Sequence, residues 1–555
     1  MHVLHRIEQT ARLAPDRIAI RTGEEFLSYG DLWKYSGRLA AALRELLPQK
    51  DGARIPLAVY GHKSPWMLVA FLGCVRAGHG YCPLDTSLPA SRIQDILDLL
   101  PEGIVLTTEP FPLKDMQGVR ADQNGQCSPS PYPPGGQTGH FHSAKVAVDV
   151  MQLCLQGISP ETTEGEAESG EPGRKALPSM GLNPVPDSWQ AFGEDLFYMI
   201  FTSGSTGKPK GVQITEDCLA HFLDWSVNFG SEGRIREGSV FLNQAPFSFD
   251  LSVMDLYTCM AVGGTLVCLE KTVQADYRRL LEVLGTSGAQ IWVSTPSFAE
   301  MCLADPSFRQ ELLPALEVFW FCGETLANKT ALRLLERFPD AKVFNTYGPT
   351  ESTVAVTGTE ITREMALNPN PLPLGRPKSG TVVEIRDEQG NILPEGEKGE
   401  IVLIGDTVSK GYYRQEELTQ KAFFLQGSRG YHTGDKGYLR DGLLYYCGRL
   451  DLQIKLHGYR MELEDIENNL MRLCTVKRAV VMPKERGGKI VSLTAYLVLR
   501  QDLGSCPSEE MLREEMEALL PAYMIPKKLV LVDTIPMTPN GKADRRKLEE
   551  MGKKA

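Results

Sequence analysis

FYMIFTSGSTGKPKG, at residues 197–211, is an apolar run that turns into a loop of Gly, Ser and Thr with two lysines. This order predicts a buried strand leading into a phosphate-binding loop, because glycines let the backbone approach an anion while hydroxyls and lysines supply donors and charge. A Walker A loop is excluded, since Thr202 stands where that motif needs Gly and Pro209 where it needs Ser or Thr. By composition alone a flexible surface connection stays the alternative.

The length and composition of the chain describe a multidomain globular protein. Its 555 residues exceed one ordinary core, and 42% are hydrophobic and 23% charged. The net charge of -11 argues against nonspecific nucleic-acid binding. We expect no membrane span and no signal peptide, and therefore a cytoplasmic protein. The 12 cysteines show no CxxC pair, which indicates neither a disulfide framework nor a structural metal.

Apolar strand-like and helix-like stretches alternate along most of the chain, which predicts an α/β fold of helices packed on β-sheets. Strands are predicted at 17–21, 55–60, 291–298 and 318–326, and helices near residues 32–43 and 67–75. A compact α+β unit is predicted from helices at 462–471 and 508–520 and strands at 480–482 and 489–499. Ser508 is the expected N-cap of the last helix, and Pro521 is expected to end it. We therefore expect a large N-terminal domain over 1–450 and a small mobile C-terminal domain over 451–555.

Residues 108–195 differ from the rest of the chain in being rich in Ser, Pro, Gly, Gln and Glu. Such a composition buries too little apolar surface to offset the entropy of ordering, so we expect a poorly ordered surface insertion. Only residues 146–155 are apolar enough to form a short strand or helix. The simplest interpretation is a surface loop that the fold tolerates and that has no function of its own.

Six further motifs follow the glycine-rich loop in a characteristic order. They are FSFDLS (247–252), YGPTE (347–351), GEIVLIGDTVSKGYY (399–413), YHTGD (431–435), GRLDLQIKLHGYRMELEDIE (448–467) and PNGKADRRKL (539–548). Together they resemble the motifs of the adenylate-forming enzymes, the superfamily of acyl-CoA synthetases, luciferases and nonribosomal peptide adenylation domains. The resemblance covers almost the whole chain outside residues 108–195. It implies an ATP-dependent ligase that uses Mg²⁺.

The resemblance also implies which residues hold the nucleotide, because the charge that develops on the phosphates needs fixed cations and donors. The implied nucleotide-binding set is Thr202, Ser203, Ser205, Thr206, Lys208, Lys210, Asn345, Tyr347, Asp435 and Arg449. Thr350 resembles the contact to the α-phosphate, and Glu351 the catalytic Mg²⁺ carboxylate. Asp435 resembles the carboxylate that binds both ribose hydroxyls, with Arg449 beside it. Outside this context Glu351 would be an ordinary solvated charge.

Three residues near the C-terminus are implied to serve two successive reactions. Lys542 resembles the family's mobile catalytic lysine, although composition alone would describe an exposed lysine in a tail. Asp451 would be the hinge about which the small domain turns. Gly458 would border the channel for the thiol arm of the acceptor, and an ordinary turn glycine is the alternative.

Asp250 and Cys322 are the candidate substrate-binding residues. A carboxylate in the apolar stretch FSFDLSVMDLY is costly to bury unpaired, and a bound cation would offset that cost. In the amino-acid-activating branch the corresponding Asp holds the α-ammonium group, while a helix N-cap is the structural alternative. Cys322 resembles a pocket cysteine that leaves space for a small side chain. Chirality does not follow from the sequence.

The closest resemblance within this branch is to the enzymes that load D-alanine onto a carrier protein for teichoic acid modification. It implies activation of D-alanine as an adenylate, release of pyrophosphate, and transfer to the phosphopantetheine thiol of a D-alanyl carrier protein, by a monomeric enzyme that binds no nucleic acid. A stand-alone adenylation enzyme for another small amino acid in nonribosomal synthesis is the main alternative. A catalytically silent ATP-binding scaffold and an acyl-CoA synthetase are further ones, the latter opposed by Asp250.

Overall fold

The computed structural model describes residues 2–47, 54–101, 104–113, 117–121, 127–129, 146–155, 186–204, 208–229, 233–473, 475–486, 489–500, 507–537, 543–545 and 547–549. Most of the predicted insertion lies outside these residues. The described part of residues 146–155 forms both a strand and a helix, as the apolar composition allowed. Among the described residues, no helix combines the length and apolar character that a bilayer span requires.

The helices are distributed along the whole chain. Their bounds are α1 Val3–Leu13, α2 Tyr29–Leu46, α3 Pro65–Arg76, α4 Ala90–Leu99, α5 Val150–Leu155, α6 Glu216–Ser226, α7 Leu251–Ala261, α8 Lys271–Ala275, α9 Tyr277–Thr286, α10 Pro296–Cys302, α11 Asn328–Arg337, α12 Arg363–Leu367, α13 Glu416–Ala422, α14 Leu463–Met471 and α15 Glu509–Glu517.

The strands alternate with the helices up to about residue 360 and then become more frequent. Their bounds are β1 Ile18–Thr22, β2 Glu25–Ser28, β3 Leu57–Tyr60, β4 Tyr81–Leu84, β5 Ile104–Thr107, β6 Gln117–Ala121, β7 Cys127–Pro129, β8 Val146–Asp149, β9 Leu196–Thr202, β10 Lys210–Thr215, β11 Val240–Asn243, β12 Thr265–Cys268, β13 Ile291–Ser294, β14 Val318–Phe321, β15 Lys342–Tyr347, β16 Thr357–Glu360, β17 Arg376–Pro377, β18 Thr381–Arg386, β19 Gly399–Gly405, β20 Phe423–Gln426, β21 Ser428–Arg440, β22 Leu443–Arg449, β23 Gln453–Leu456, β24 Tyr459–Glu462, β25 Val476–Arg486, β26 Lys489–Leu499 and β27 Lys528–Leu531.

Two large sheets form the body of the protein. One has nine strands in the order β17-β16-β15-β14-β13-β11-β12-β1-β2, and the other eight in the order β10-β9-β4-β3-β5-β8-β6-β7. Their central strands are parallel, which requires helical crossovers that cover the sheet faces. One continuous core joins both sheets to α1, α2, α3, α6 and α7. The predicted α/β class is confirmed.

The parallel strands of the nine-stranded sheet place several loops at one edge. β11, β13, β14 and β15 run in the same direction and end side by side. In open α/β sheets ligands bind outside the carboxyl ends of such strands. The predicted motifs FSFDLS and YGPTE and the candidate residue Cys322 lie at or shortly after these strand ends, so the topology gathers them at one crevice.

The C-terminal part contains three smaller units. β18, β19, β20, β21 and β22 form a five-stranded sheet, β23 and β24 form a hairpin, and β25, β26 and β27 form a three-stranded sheet. One face of the last sheet packs against α14, α15 and the hairpin, which gives the small unit its own core. The predicted small α+β domain is confirmed, with Ser508 accepting a hydrogen bond from the backbone N–H of Met511 as its N-cap.

The strand predicted over 291–298 is correct only in its first half. β13 ends at Ser294, and Pro296 begins α10. Proline suits the first position of a helix, because its fixed φ matches the helix and its missing N–H needs no partner there.

Candidate active site

A cleft at the carboxyl ends of the parallel strands brings together residues from both domains. Its walls come from the loops after β9, β11, β14 and β15 and from the hairpin β23–β24. The predicted site residues that line it are Thr202, Ser203, Asp250, Cys322, Thr350, Asp435, Arg449 and Gly458. Residues separated by more than 250 positions in the sequence therefore meet in one place.

Glu351 is fully buried beside the cleft, in the short 3₁₀ turn Thr350–Ser352. Its Oε2 lies 2.6 Å from Nη1 of Arg460, and its Oε1 accepts a hydrogen bond of 2.9 Å from the hydroxyl of Tyr412. Burial by itself would raise the pKa of Glu351, but the charges of Arg460 and Lys210 outweigh it and lower the pKa to about 2. The carboxylate is thus ionised and is paired with the cation of Arg460.

The backbone after this turn is held in an unusual conformation. Thr353 and Val354 both have positive φ, at 59° and 69°, although neither is glycine. Such backbone is costly for a β-branched residue and persists only where the surroundings enforce it. Here the turn carries Thr350, which lines the cleft, and Glu351, which is buried beside it.

The glycine-rich loop lies where β9 ends and β10 begins. Gly204 has no room for a side chain, because a Cβ there would lie 2.3 Å from the carbonyl oxygen of Lys208. The hydroxyl of Thr202 is buried and has no hydrogen-bond partner among the described residues. Lys208 is exposed, whereas Lys210 donates to Glu462 at 2.7 Å. Ser205 and Thr206 lie outside the described residues.

Asp435 is almost fully buried on β21, and both of its oxygens are engaged. Oδ2 accepts from the hydroxyl of Tyr347 at 2.6 Å, and Oδ1 from Arg449 at 2.8 Å. Arg449 also donates through Nε and Nη2 to the carboxylate of Asp451, at 2.7 and 2.5 Å. The predicted ribose residue and the predicted hinge residue are therefore connected through one guanidinium. Asn345 lies below the cleft, where its amide donates to the carbonyl of Pro373 at 2.8 Å.

Asp250 occupies the N-cap position of α7, but within the described structure its carboxylate accepts no capping hydrogen bond. It lines the cleft instead. Burial raises the pKa of Asp250, and the opposing effects of the Thr350 hydroxyl and of the Arg460 and Lys455 charges do not cancel that rise. A ligand cation would relieve this penalty directly.

Cys322 follows β14 and forms a small wall of the same cleft. Its side chain is buried, and its Sγ donates to the carbonyl of Val354 at 3.7 Å. Burial raises the pKa of the thiol, so Cys322 is protonated at neutral pH and is not a nucleophile. Cys322 therefore contributes to the size and shape of the cleft.

Gly458 lies at the tip of the hairpin β23–β24, with φ at +85° next to His457 at +53°. The turn therefore requires glycine for its conformation, and it also needs the space, since a Cβ would lie 2.5 Å from Cγ2 of Thr295. The N–H of Gly458 donates to Oε1 of Glu324 at 2.6 Å. The hairpin thus docks into the cleft. Lys542 lies outside the described residues.

Sequence similarity now decides the family. A family model described as AMP-binding enzyme matches residues 7–413, and one described as AMP-binding enzyme C-terminal domain matches residues 465–542. The chain belongs to the AMP-binding enzyme family. The predicted superfamily and the predicted adenylate-forming ligase activity are confirmed.

The relatives of this AMP-binding enzyme match it along its whole length. The D-alanine--D-alanyl carrier protein ligase of Bacillus licheniformis is 43% identical over 563 residues, which cover 99% of each chain. The protein of the same name from Bacillus velezensis is 42% identical over 556 residues, again 99% of each chain.

Solved structures of more distant proteins share the fold. A nonribosomal peptide synthetase protein containing adenylation and PCP domains superposes with a TM-score of 0.74 at 24% identity, covering 99% of this chain and 84% of that one. The o-succinylbenzoate CoA synthetase of Bacillus subtilis superposes with a TM-score of 0.75 at 21% identity, covering 98% of each.

Enzymes of this family use ATP, and the site of this AMP-binding enzyme fits that ligand. The Thr202 hydroxyl, which has no partner in the described part of the chain, and the buried carboxylates of Glu351 and Asp435 supply a donor and two acceptor groups within one region. Sequence reasoning missed the residues that contact the predicted ones. Arg460 and Tyr412 contact Glu351, Glu462 pairs with Lys210, and Glu324 and Thr295 contact Gly458. Arg460 and Glu462 lie inside a quoted motif, yet nothing local to the sequence names their partners.

Proposed function

We propose that this enzyme activates D-alanine with ATP as D-alanyl-adenylate, releases pyrophosphate, and transfers the D-alanyl group to the phosphopantetheine thiol of a D-alanyl carrier protein for teichoic acid modification. The observation that carries the proposal is the 42–43% identity, over 99% of both chains, to relatives named D-alanine--D-alanyl carrier protein ligase. The geometry of the cleft supports each part of the reaction.

The amino acid would be held by Asp250 and limited in size by Cys322. Asp250 offers a carboxylate whose burial is costly until a cation pairs with it, which suits an α-ammonium group. Cys322 is buried next to it in the cleft, where a larger substrate side chain would meet its thiol. An acid without an amino group would leave Asp250 unpaired.

ATP would be held across the cleft. Asp435 would accept the ribose hydroxyls with Arg449 beside it, and Thr350 would contact the α-phosphate. Thr202, Ser203 and Lys210 would contact the departing phosphates, as would Ser205, Thr206 and Lys208. Glu351 would hold Mg²⁺, which when bound neutralises charge on the phosphate oxygens. We assign to Lys542 the role of bridging the substrate carboxylate and the phosphate as charge develops.

The docked hairpin would serve the transfer reaction. Gly458 lines the cleft and packs closely against Thr295, and we assign to it the wall at the end of the pantetheine channel. Asp451 would be the pivot for the change between the two reactions, because it follows the last strand of the five-stranded sheet and precedes the hairpin.

The test is a pyrophosphate-exchange panel with both enantiomers of alanine, glycine, L-serine and L-valine, followed by loading of a phosphopantetheinylated D-alanyl carrier protein. We expect D-alanine to give the highest kcat/KM and the carrier protein to become acylated. Equal or better exchange with another small amino acid would favour a stand-alone adenylation enzyme of nonribosomal synthesis and overturn the D-alanine assignment. Absence of exchange with every amino acid, with ATP binding intact, would favour a silent scaffold.

A further inference from the structure

The hairpin β23–β24 carries one cation and one anion, and each forms an ion pair with an oppositely charged residue of the proposed ATP site. Arg460 lies 2.6 Å from Glu351, the carboxylate assigned to Mg²⁺. Glu462, two residues further on, lies 2.7 Å from Lys210, a cation assigned to the departing phosphates. The N–H of Glu462 also donates to Oγ of Ser203 at 3.1 Å, which engages a phosphate-loop hydroxyl.

These contacts are shielded from water. The side chain of Glu351 is 0% exposed and that of Arg460 15%, while Lys210 and Glu462 are each 12% exposed. A charge buried to this degree is costly without a partner of opposite sign. Glu351 and Lys210 therefore need partners in every state of the enzyme, including the state in which no nucleotide phosphates are present.

We propose that Arg460 and Glu462 take the places of Mg²⁺ and pyrophosphate once these have left, so that the hairpin docks for transfer only after both have left, while the adenylate stays bound. The cationic Arg460 occupies the position of a metal at Glu351, and the anionic Glu462 that of a phosphate at Lys210. Both are positioning residues of the transfer reaction. The inference rests on the proposed function through the assignments of Glu351 and Lys210.

An ordinary interdomain ion pair would help the hairpin dock without responding to these ligands. Lys489 and Glu300 form such a pair, at 2.5 Å between the small domain and α10, and neither residue belongs to the proposed site. Lys489→Gln is therefore the matched control. It weakens docking but leaves the competition for Glu351 and Lys210 intact.

The experiment measures amide hydrogen exchange at Gly458 and Glu462 in the full-length chain with AMP, without amino acid or carrier protein. The N–H groups of these two residues donate across the domain boundary, to Glu324 and Ser203, so their protection reports docking. We titrate MgCl₂ alone, pyrophosphate with a chelator, and both together. In the wild type, Mg²⁺ with pyrophosphate should accelerate exchange at both amides by about tenfold or more, since a charge-assisted contact is lost at each end.

The variants separate the two charges. In Arg460→Met the response to Mg²⁺ should disappear, because nothing cationic then competes for Glu351, and Arg460→Lys should restore it. In Glu462→Gln the response to pyrophosphate should fall about tenfold. Lys489→Gln should raise the exchange measured without ligand and keep the wild-type response to both ligands.

A wild-type chain that shows no response, or variants that respond like Lys489→Gln, would overturn the inference. If Arg460→Met removes all protection before ligand is added, the more conservative Arg460→Lys and Glu462→Gln decide the outcome. The result is distinguishable from failure of the proposed function, because no amino acid is present here. The substrate panel can exclude D-alanine while exchange still responds to Mg²⁺ and pyrophosphate.

Discussion

Replacing Gly458 with Ala should separate the two reactions of the enzyme. The added Cβ would lie 2.5 Å from Cγ2 of Thr295, whereas carbon atoms pack at about 3.5–4.0 Å. The hairpin must therefore withdraw by about 1 Å, which stretches the 2.6 Å hydrogen bond from Gly458 to the carboxylate of Glu324. Losing a hydrogen bond to a charged group costs about 1.5–3 kcal/mol, or about 10- to 150-fold in docking.

The left-handed conformation adds a second cost, which does not affect docking. With φ at +85° at this turn, Ala is strained by about 1 kcal/mol whether or not the hairpin is docked. That cost lowers the stability of the small domain and leaves the docking equilibrium unchanged. The two effects are separable, because a thermal melt reports the strain and the transfer reaction reports the docking.

The assay compares pyrophosphate exchange with single-turnover transfer from bound adenylate to the carrier protein. Gly458→Ala should slow transfer about 10- to 150-fold and leave exchange within about twofold. The control is the double variant Gly458→Ala with Thr295→Ser, which removes Cγ2 and keeps the hydroxyl. Transfer should recover in the double variant. Equal losses in exchange and transfer, or no recovery with Thr295→Ser, would refute the role assigned to this contact.

Four further predictions follow from the cleft. Asp250→Asn should raise the KM of the amino acid about 10- to 100-fold with little change in the KM of ATP. In the wild type the KM of the amino acid should also rise as the pH falls and Asp250 is protonated, at a higher pH than for an exposed Asp because burial raises the pKa of Asp250, and this rise should vanish in the variant. Parallel increases in KM for both substrates would contradict this prediction. Thr202→Val should raise the KM of ATP about tenfold without lowering Tm, because its buried hydroxyl has no partner among the described residues; a lower Tm would instead indicate a structural hydroxyl. Lys542→Ala should abolish exchange while equilibrium binding of ATP is largely kept, and equal loss of both would count against its assignment. Glu351 has a pKa lowered to about 2 from an ordinary 4.5, so the stability that its ionised form contributes is complete above about pH 4.5 and is lost as the pH falls towards 2. The free energy of unfolding of Glu351→Gln should therefore decrease less steeply with falling pH over that window. Identical pH profiles for the variant and the wild type would show that the ion pair does not stabilise the fold.

The sequence predicted the α/β class and eight of the residues that line the cleft, because short motifs mark the loops after the parallel strands. It could not predict the pairing of Arg460 with Glu351, which joins residues 109 positions apart on two domains. Such a contact depends on domain orientation, which no local pattern encodes. By contrast, the end of β13 could have been predicted, since Pro296 after Thr295 is a local signal for the start of a helix. Whether the carboxylate of Asp250 caps α7 or faces the cleft depends on the direction of its side chain, which the sequence alone does not give.

The two faces of the C-terminal sheet pack against different parts of the small domain. Along β26, Ala495 and Leu497 point to the core shared with the hairpin, and Tyr496 points to the opposite face. Ala543, the residue after Lys542, packs with Tyr496 on that opposite face, where Leu548 is also buried. The hairpin and Ala543 thus lie on opposite sides of one sheet. With Lys542 assigned to adenylation and Gly458 to transfer, we expect the domain to turn between the two reactions. A cross-link that holds Gly458 against Thr295 should consequently prevent adenylation while leaving the cleft itself intact.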